Sequence, residues 1–144
     1  MSADARHRKG LDHLRAGRID AALAELQHAL RLEPDNPEYA KALGNAYKAG
    51  GNLQAAIESY GRALRGTPDY VPALYNLGVC LRELGQSMEA EAHFRRILEL
   101  DPREADTLGQ LGLMLHEQSR FAEAAGFLRR VLDLVPDNPL YLWY

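Results

Sequence analysis

The hexapeptide Pro34-Asp35-Asn36-Pro37-Glu38-Tyr39 returns as Pro136-Asp137-Asn138-Pro139-Leu140-Tyr141, 102 residues further on. That interval divides by three. Pro34, Pro68, Pro102 and Pro136 stand 34 residues apart, as do Gly10, Gly44, Gly78 and Gly112, and Ala22, Ala56, Ala90 and Ala124. Residue types recurring in register, with no insertion, mark a repeat architecture, in which one supersecondary unit is stacked on the next. The units are 3–36, 37–70, 71–104 and 105–138, and residues 139–144 begin a fifth.

Each unit reads as two helices, over unit positions 2–14 and 18–29. In the second unit Leu43 and Tyr47, then Leu53, Ala56, Ile57, Tyr60, Ala63 and Leu64, fall at helical spacing. Position 15 holds Gly17, Gly51, Gly85 and Ser119, which suits a tight turn between the helices. The recurring prolines close each unit because proline cannot donate the i to i−4 bond. Asn36-Pro37 and Asn138-Pro139 restart a helix, with asparagine as cap and proline in the first helical position. The glycines of position 8 let the two helices of a unit approach. The alanines of position 20 are expected to face them, and Leu26, Tyr60, Phe94 and Leu128 at position 24 to fill the space between neighbouring units. Composition agrees on class: 24 Leu and 21 Ala stand against 9 Val, Ile and Thr together, the balance of an all-α chain.

Several functions are set aside by what the sequence holds. With 17 Lys+Arg against 20 Asp+Glu the net charge is −3, the wrong balance for a nucleic-acid binder. The N-terminal stretch has no apolar core of a signal peptide, and no apolar run approaches the ~18 residues of a membrane span, so a cytoplasmic location is expected. His7, His13, His28, His93 and His116 show no metal-ligand spacing. Cys80, the one cysteine, occupies position 10, where other units have Asp12, Ala46 and Met114, and reads as a small packing residue. The expectation is a non-enzymatic protein with no catalytic residue, metal or cofactor.

The 34-residue unit, with Leu43-Gly44, Leu77-Gly78 and Leu111-Gly112 followed by the periodic alanines and prolines, resembles the tetratricopeptide repeat (TPR) family. The resemblance covers residues 3–138 and runs on into 139–144. It implies a single all-α TPR domain over 1–144, a right-handed superhelix of antiparallel helix pairs. It also implies a concave groove lined by positions 2, 5, 6, 9, 12 and 13 of the first helices. The candidate peptide-binding residues there are Lys41, Asn45, Tyr75, Asn76, Arg82 and Gln110. Some members hold a peptide's C-terminal carboxylate in a five-residue clamp. Lys41, Asn45 and Asn76 match three of its positions, whereas Asp106 and Gln110 replace the two further cations and oppose that ligand. The function implied is a protein–protein interaction scaffold. The alternatives are a substrate-recruiting arm of a larger glycosyltransferase or sulfotransferase, to which Asn76 bears a likeness, and a self-assembling scaffold.

The last residues, Leu140, Leu142, Trp143 and Tyr144, are apolar where solenoids normally place a polar cap. They are expected to form a short ninth helix and to mediate self-association, most simply as a homodimer. The other readings are a piece of a longer repeat protein and a tail folded back on the fourth unit.

Overall fold

The structure is a computed structural model and describes residues 1–142. Eight α-helices make up the described chain: α1 (Ala3–Arg15), α2 (Ile19–Leu32), α3 (Pro37–Ala49), α4 (Leu53–Gly66), α5 (Val71–Glu83), α6 (Ser87–Leu100), α7 (Ala105–Glu117) and α8 (Phe121–Leu134). Helices pack as consecutive pairs, α1 on α2 through α7 on α8, and each second helix also packs on the first helix of the next unit. The first helices touch one another, α1 with α3 and α3 with α5, and so form a layer against which the second helices pack.

Local chemistry explains where the helices start and stop. The Asn36 side chain accepts the N–H groups of Glu38 and Tyr39, two of the donors a helix start leaves unpaired, and Pro37 takes the first helical position. Within each hairpin the chain reverses through a left-handed residue, with φ of 77° at Gly17, 82° at Gly51 and 81° at Gly85. Ser119 must adopt φ of 61° at the same point, with a side chain to accommodate.

The close crossing inside each unit is made chiefly by the residue expected to fill the space between units, although the Ala22 carbonyl also lies 3.5 Å from the would-be Cβ of Gly10. A Cβ on Gly44 would lie 2.6 Å from Tyr60 Cε1, and one on Gly78 would lie 2.6 Å from Phe94 Cε1. Leu26 and Leu128 stand equally close to Gly10 and Gly112. The large residue of position 24 therefore packs on the glycine of its own unit. Position 20 is one helical turn earlier on the same face, so sequence spacing alone could not separate the two.

At the first and last junctions between units, position 3 packs against position 5 of the unit before. Tyr39 stacks on His7 with ring centroids 4.8 Å apart. Ala73 and Thr107 are fully buried at the equivalent place. At the last junction Tyr141 fills the space left by the missing side chain of Gly109 and joins Leu108, Leu115, Leu128 and Val131 in the core. Leu98 and Phe127 connect that cluster to the larger core, which runs through the first three units and takes in Leu111 and Met114 of α7.

The N-terminal edge is polar. Arg6 and Lys9 occupy positions 4 and 7, where later units bury Ala40 and Leu43, Leu74 and Leu77, or Leu108 and Leu111. Glu25 receives Arg6 at 3.1 Å and Lys9 at 3.7 Å, and hydrogen bonding from Arg6 holds its carboxyl below the ordinary range. At the other end, residues 139–142 form a turn begun by the Asn138 side chain, which accepts the N–H of Leu140, in place of the expected ninth helix over those residues.

Candidate functional site

The first-helix layer carries all six candidate groove residues, and all are half-buried. Three of them are directly joined. Gln110 of α7 donates through Nε2 to the Tyr75 hydroxyl at 3.3 Å and accepts from Arg82 of α5 through Oε1 at 2.7 Å. Arg82 also donates to the Glu117 carboxylate at 2.6 Å. This chain of bonds ties α5 to α7 across the inner layer. Tyr75 rests its ring against Phe94, with centroids 6.0 Å apart, and burial raises its phenol above the ordinary value.

The two asparagines have structural partners that the sequence did not reveal. Asn45 Oδ1 accepts the Tyr60 hydroxyl at 2.6 Å, and Tyr60 is wholly buried. Tyr60 is the one position-24 residue with a hydroxyl, so Asn45 satisfies a polar group that would otherwise be stranded in the core. Asn76 donates through Nδ2 to the carbonyl of Pro72 at 2.9 Å, one turn back on its own helix. Each asparagine thus spends one side of its amide internally; the Nδ2 of Asn45 and the Oδ1 of Asn76 have no protein hydrogen bond among the described residues. Lys41 lies 6.0 Å over the ring of Tyr70 and apart from this network. Lys41 and Asn45 share one face of α3 at i, i+4 spacing.

Below Tyr75 the layer opens into a cleft of about 360 Å³ lined by Val79, Arg82, Glu83, Ser87, Gln110 and Glu117. Val79, Glu83 and Glu117 fall at groove positions 9 and 13 although they are not among the six candidates, and Ser87 lies outside those positions. Cys80 is fully buried beneath the layer, its thiol pushed up by burial, in agreement with a packing role.

A second periodic feature escaped the sequence reading altogether. Position 26 holds Arg62, Arg96 and Arg130 on the second helices. Arg62 donates to the carbonyl of Pro34 at 3.4 Å and Arg130 to that of Pro102 at 2.8 Å, each 28 residues back. Arg96 reaches the Asp69 carboxylate at 2.8 Å. These arginines pin each unit to the loop before it, and their 34-residue spacing was the available signal.

Among the described residues no group of three or more His, Cys, Asp or Glu side chains is placed to hold a metal ion, and no helix is long and apolar enough to cross a membrane. Of the C-terminal candidates, Leu140 and Leu142 are 53% and 58% exposed, while Trp143 and Tyr144 lie outside the described residues.

The family profile described as tetratricopeptide repeat matches residues 7–71, 41–105 and 75–139, three overlapping two-unit windows that start 34 residues apart. The chain belongs to the tetratricopeptide repeat family. Several solved TPR structures share its fold. MamA is 21% identical, with a TM-score of 0.86 over 91% of this chain and 77% of its own. MamA 41-end from Desulfovibrio magneticus RS-1 is 24% identical, with a TM-score of 0.89 over 96% of this chain and 78% of its own. YrrB, described as a TPR protein with an unusual peptide-binding site, is 24% identical, with a TM-score of 0.85 over 98% of this chain and 73% of its own. No curated protein sequence matches the chain. The chain is therefore a TPR scaffold whose matched residues are chiefly those that pack the repeat.

Proposed function

We propose that this TPR scaffold binds an extended peptide or partner segment along the inner layer formed by α1, α3, α5 and α7. The observation that carries the reading is the connected, half-buried polar surface of Tyr75, Gln110 and Arg82, with Asn45 and Asn76 beside it. The asparagine amide groups not used internally suit a peptide backbone, which demands both donors and acceptors, and Tyr75 supplies apolar area with a polar tip. The peptide-binding description of YrrB supports the same class of function. No enzymatic role is proposed. A substrate-recruiting arm of a larger transferase would use this same groove.

The test is capture of partners with the folded domain, identification by mass spectrometry, and affinity measurement on variants. Asn45→Ala combined with Asn76→Ala should weaken binding by roughly 1–3 kcal/mol. Tyr60→Phe is the control, because it removes the internal partner of Asn45 while leaving the groove side chains in place. Partner affinity that ignores the double change but collapses on changes to the second-helix layer refutes the reading. A second property, self-association through the C-terminal edge, is favoured by the exposure of Leu140 and Leu142.

A further inference from the structure

The charge along the groove is not uniform. At positions 2, 5, 6, 9, 12 and 13 the first two units carry four cations and two anions, whereas the last two carry one cation and three anions. Glu83 and Glu117 are the final residues of α5 and α7. A carboxylate at a helix C-terminus meets the negative end of the helix dipole, so neither has a local reason to be acidic. The equivalent residues of α1 and α3 are Arg15 and Ala49. Both glutamates line the 360 Å³ cleft, together with the apolar Val79. Arg82, the cation in that cleft, is already divided between Gln110 and Glu117, and Glu83 has no hydrogen-bond or ion-pair partner among the described residues.

On α3 the sign reverses. Lys41 and Lys48 stand seven residues apart, two helical turns, and so share one face. Among the described residues neither has an anionic partner. Cations on α3, the unpaired carboxylate of Glu83 on α5 and the Arg82-bound carboxylate of Glu117 on α7 give a segment lying across them a preferred direction, because the reversed segment brings like charges together.

We propose that the cleft between α5 and α7 receives a lysine or arginine side chain of the bound segment, while carboxylates of the same segment lie over Lys41 and Lys48. The aliphatic stem rests on Val79 and the charged head meets Glu83 and Glu117. This inference rests on the peptide-groove reading above and adds the charge order of the partner to it.

Three synthetic 12-residue peptides test it: one with a Glu block at one end and a Lys block at the other, one with Glu in both blocks, and one with Lys in both. Fluorescence anisotropy should show the mixed peptide binding about tenfold tighter than either uniform peptide at low salt, with the margin shrinking as salt screens it. Glu83→Gln, an exposed isosteric change, should weaken the mixed peptide about threefold. A photo-crosslinking residue beside the Lys block should label α5 and α7, and one beside the Glu block should label α3. Labels in the reverse order, a uniform peptide binding as well as the mixed one, an unchanged affinity for Glu83→Gln, or no binding by any of the three overturns the charge order. In each of these cases the groove reading is still decided by partner capture. Mixed-peptide binding that ignores Tyr75→Ala and labels only second helices overturns the groove reading itself.

Discussion

Replacing Gly78 with alanine would place a Cβ 2.6 Å from Phe94 Cε1, 2.8 Å from Cζ and 3.0 Å from Cδ1. Two effects oppose each other. Alanine is the better helix former by ~1 kcal/mol in a helix interior. Overpacking a filled core costs about 1–3 kcal/mol. Phe94 decides between them: it is wholly buried and already rests against Tyr75, so its ring has nowhere to move without parting α5 from α6. The steric cost should therefore sit in the upper part of its range, leaving a net loss of about 1–2 kcal/mol. Gly126→Ala is the control, because Gly126 lies in α8 with nothing within 4 Å of its would-be Cβ. It should gain about 0.5–1 kcal/mol from propensity alone. Urea unfolding followed by circular dichroism should separate the two variants by about 1.5–3 kcal/mol, the sum of these two estimates. Gly78→Leu should fall further still. If Gly78→Ala is as stable as Gly126→Ala, the crossing is looser than the geometry states and the account of the repeat's glycine is wrong.

Ser119→Gly should raise stability by about 1 kcal/mol, since it relieves a side chain held at φ of 61°, and thermal melts will show it. Tyr60→Phe should cost about 1 kcal/mol by stranding Asn45, measurable by urea titration. His7 and His93 are both held below the ordinary imidazole value by burial, which for His7 outweighs the opposing carboxylates of Glu38 and Asp4. Their folded-state pKa values lie below the unfolded one, so the stability is whole above about pH 6.5 and falls as acid protonates the unfolded chain first. The urea midpoint should drop between pH 7.5 and 5.5, and His93→Gln should flatten that slope. Sedimentation should show the intact chain self-associating with concentration and a chain ending at Asn138 remaining monomeric; an intact chain that stays monomeric at high concentration excludes the Leu140–Leu142 edge as a contact.

The helix pairs were legible because the constraints that shape them are local and repeated: proline ends a unit, glycine turns within it, and asparagine caps Pro37. What was not legible depended on which of two adjacent turns faces a neighbour. Ala56 and Tyr60 lie on one side of α4, and only the crossing geometry assigns Tyr60 to Gly44. The groove residues could be placed on a common layer by their unit positions. Their bonds could not, because the Tyr75–Gln110 contact joins residues 35 apart and the Asn45–Tyr60 contact joins residues 15 apart, through side-chain conformation rather than period. The arginines of position 26 were periodic and still overlooked, since a search for the repeat follows glycine, alanine and proline, while exposed charge is ordinarily variable.

The size matching between positions 5 and 3 has a consequence for how the chain assembles. Units this alike invite transposition, in which a unit docks on the wrong neighbour or on the equivalent unit of another molecule. The junctions resist it. Tyr39 meets His7 and Tyr141 occupies the vacancy at Gly109, whereas Ala73 and Thr107 follow Lys41 and Tyr75. A small residue delivered to Gly109 would leave a void, and a tyrosine delivered to the fully buried place of Thr107 would overfill it; either mismatch costs ~1 kcal/mol or more. The order of the four units is thus written into the volumes of their contact faces, and a shuffled chain with identical composition and identical helices should fold less stably than this one.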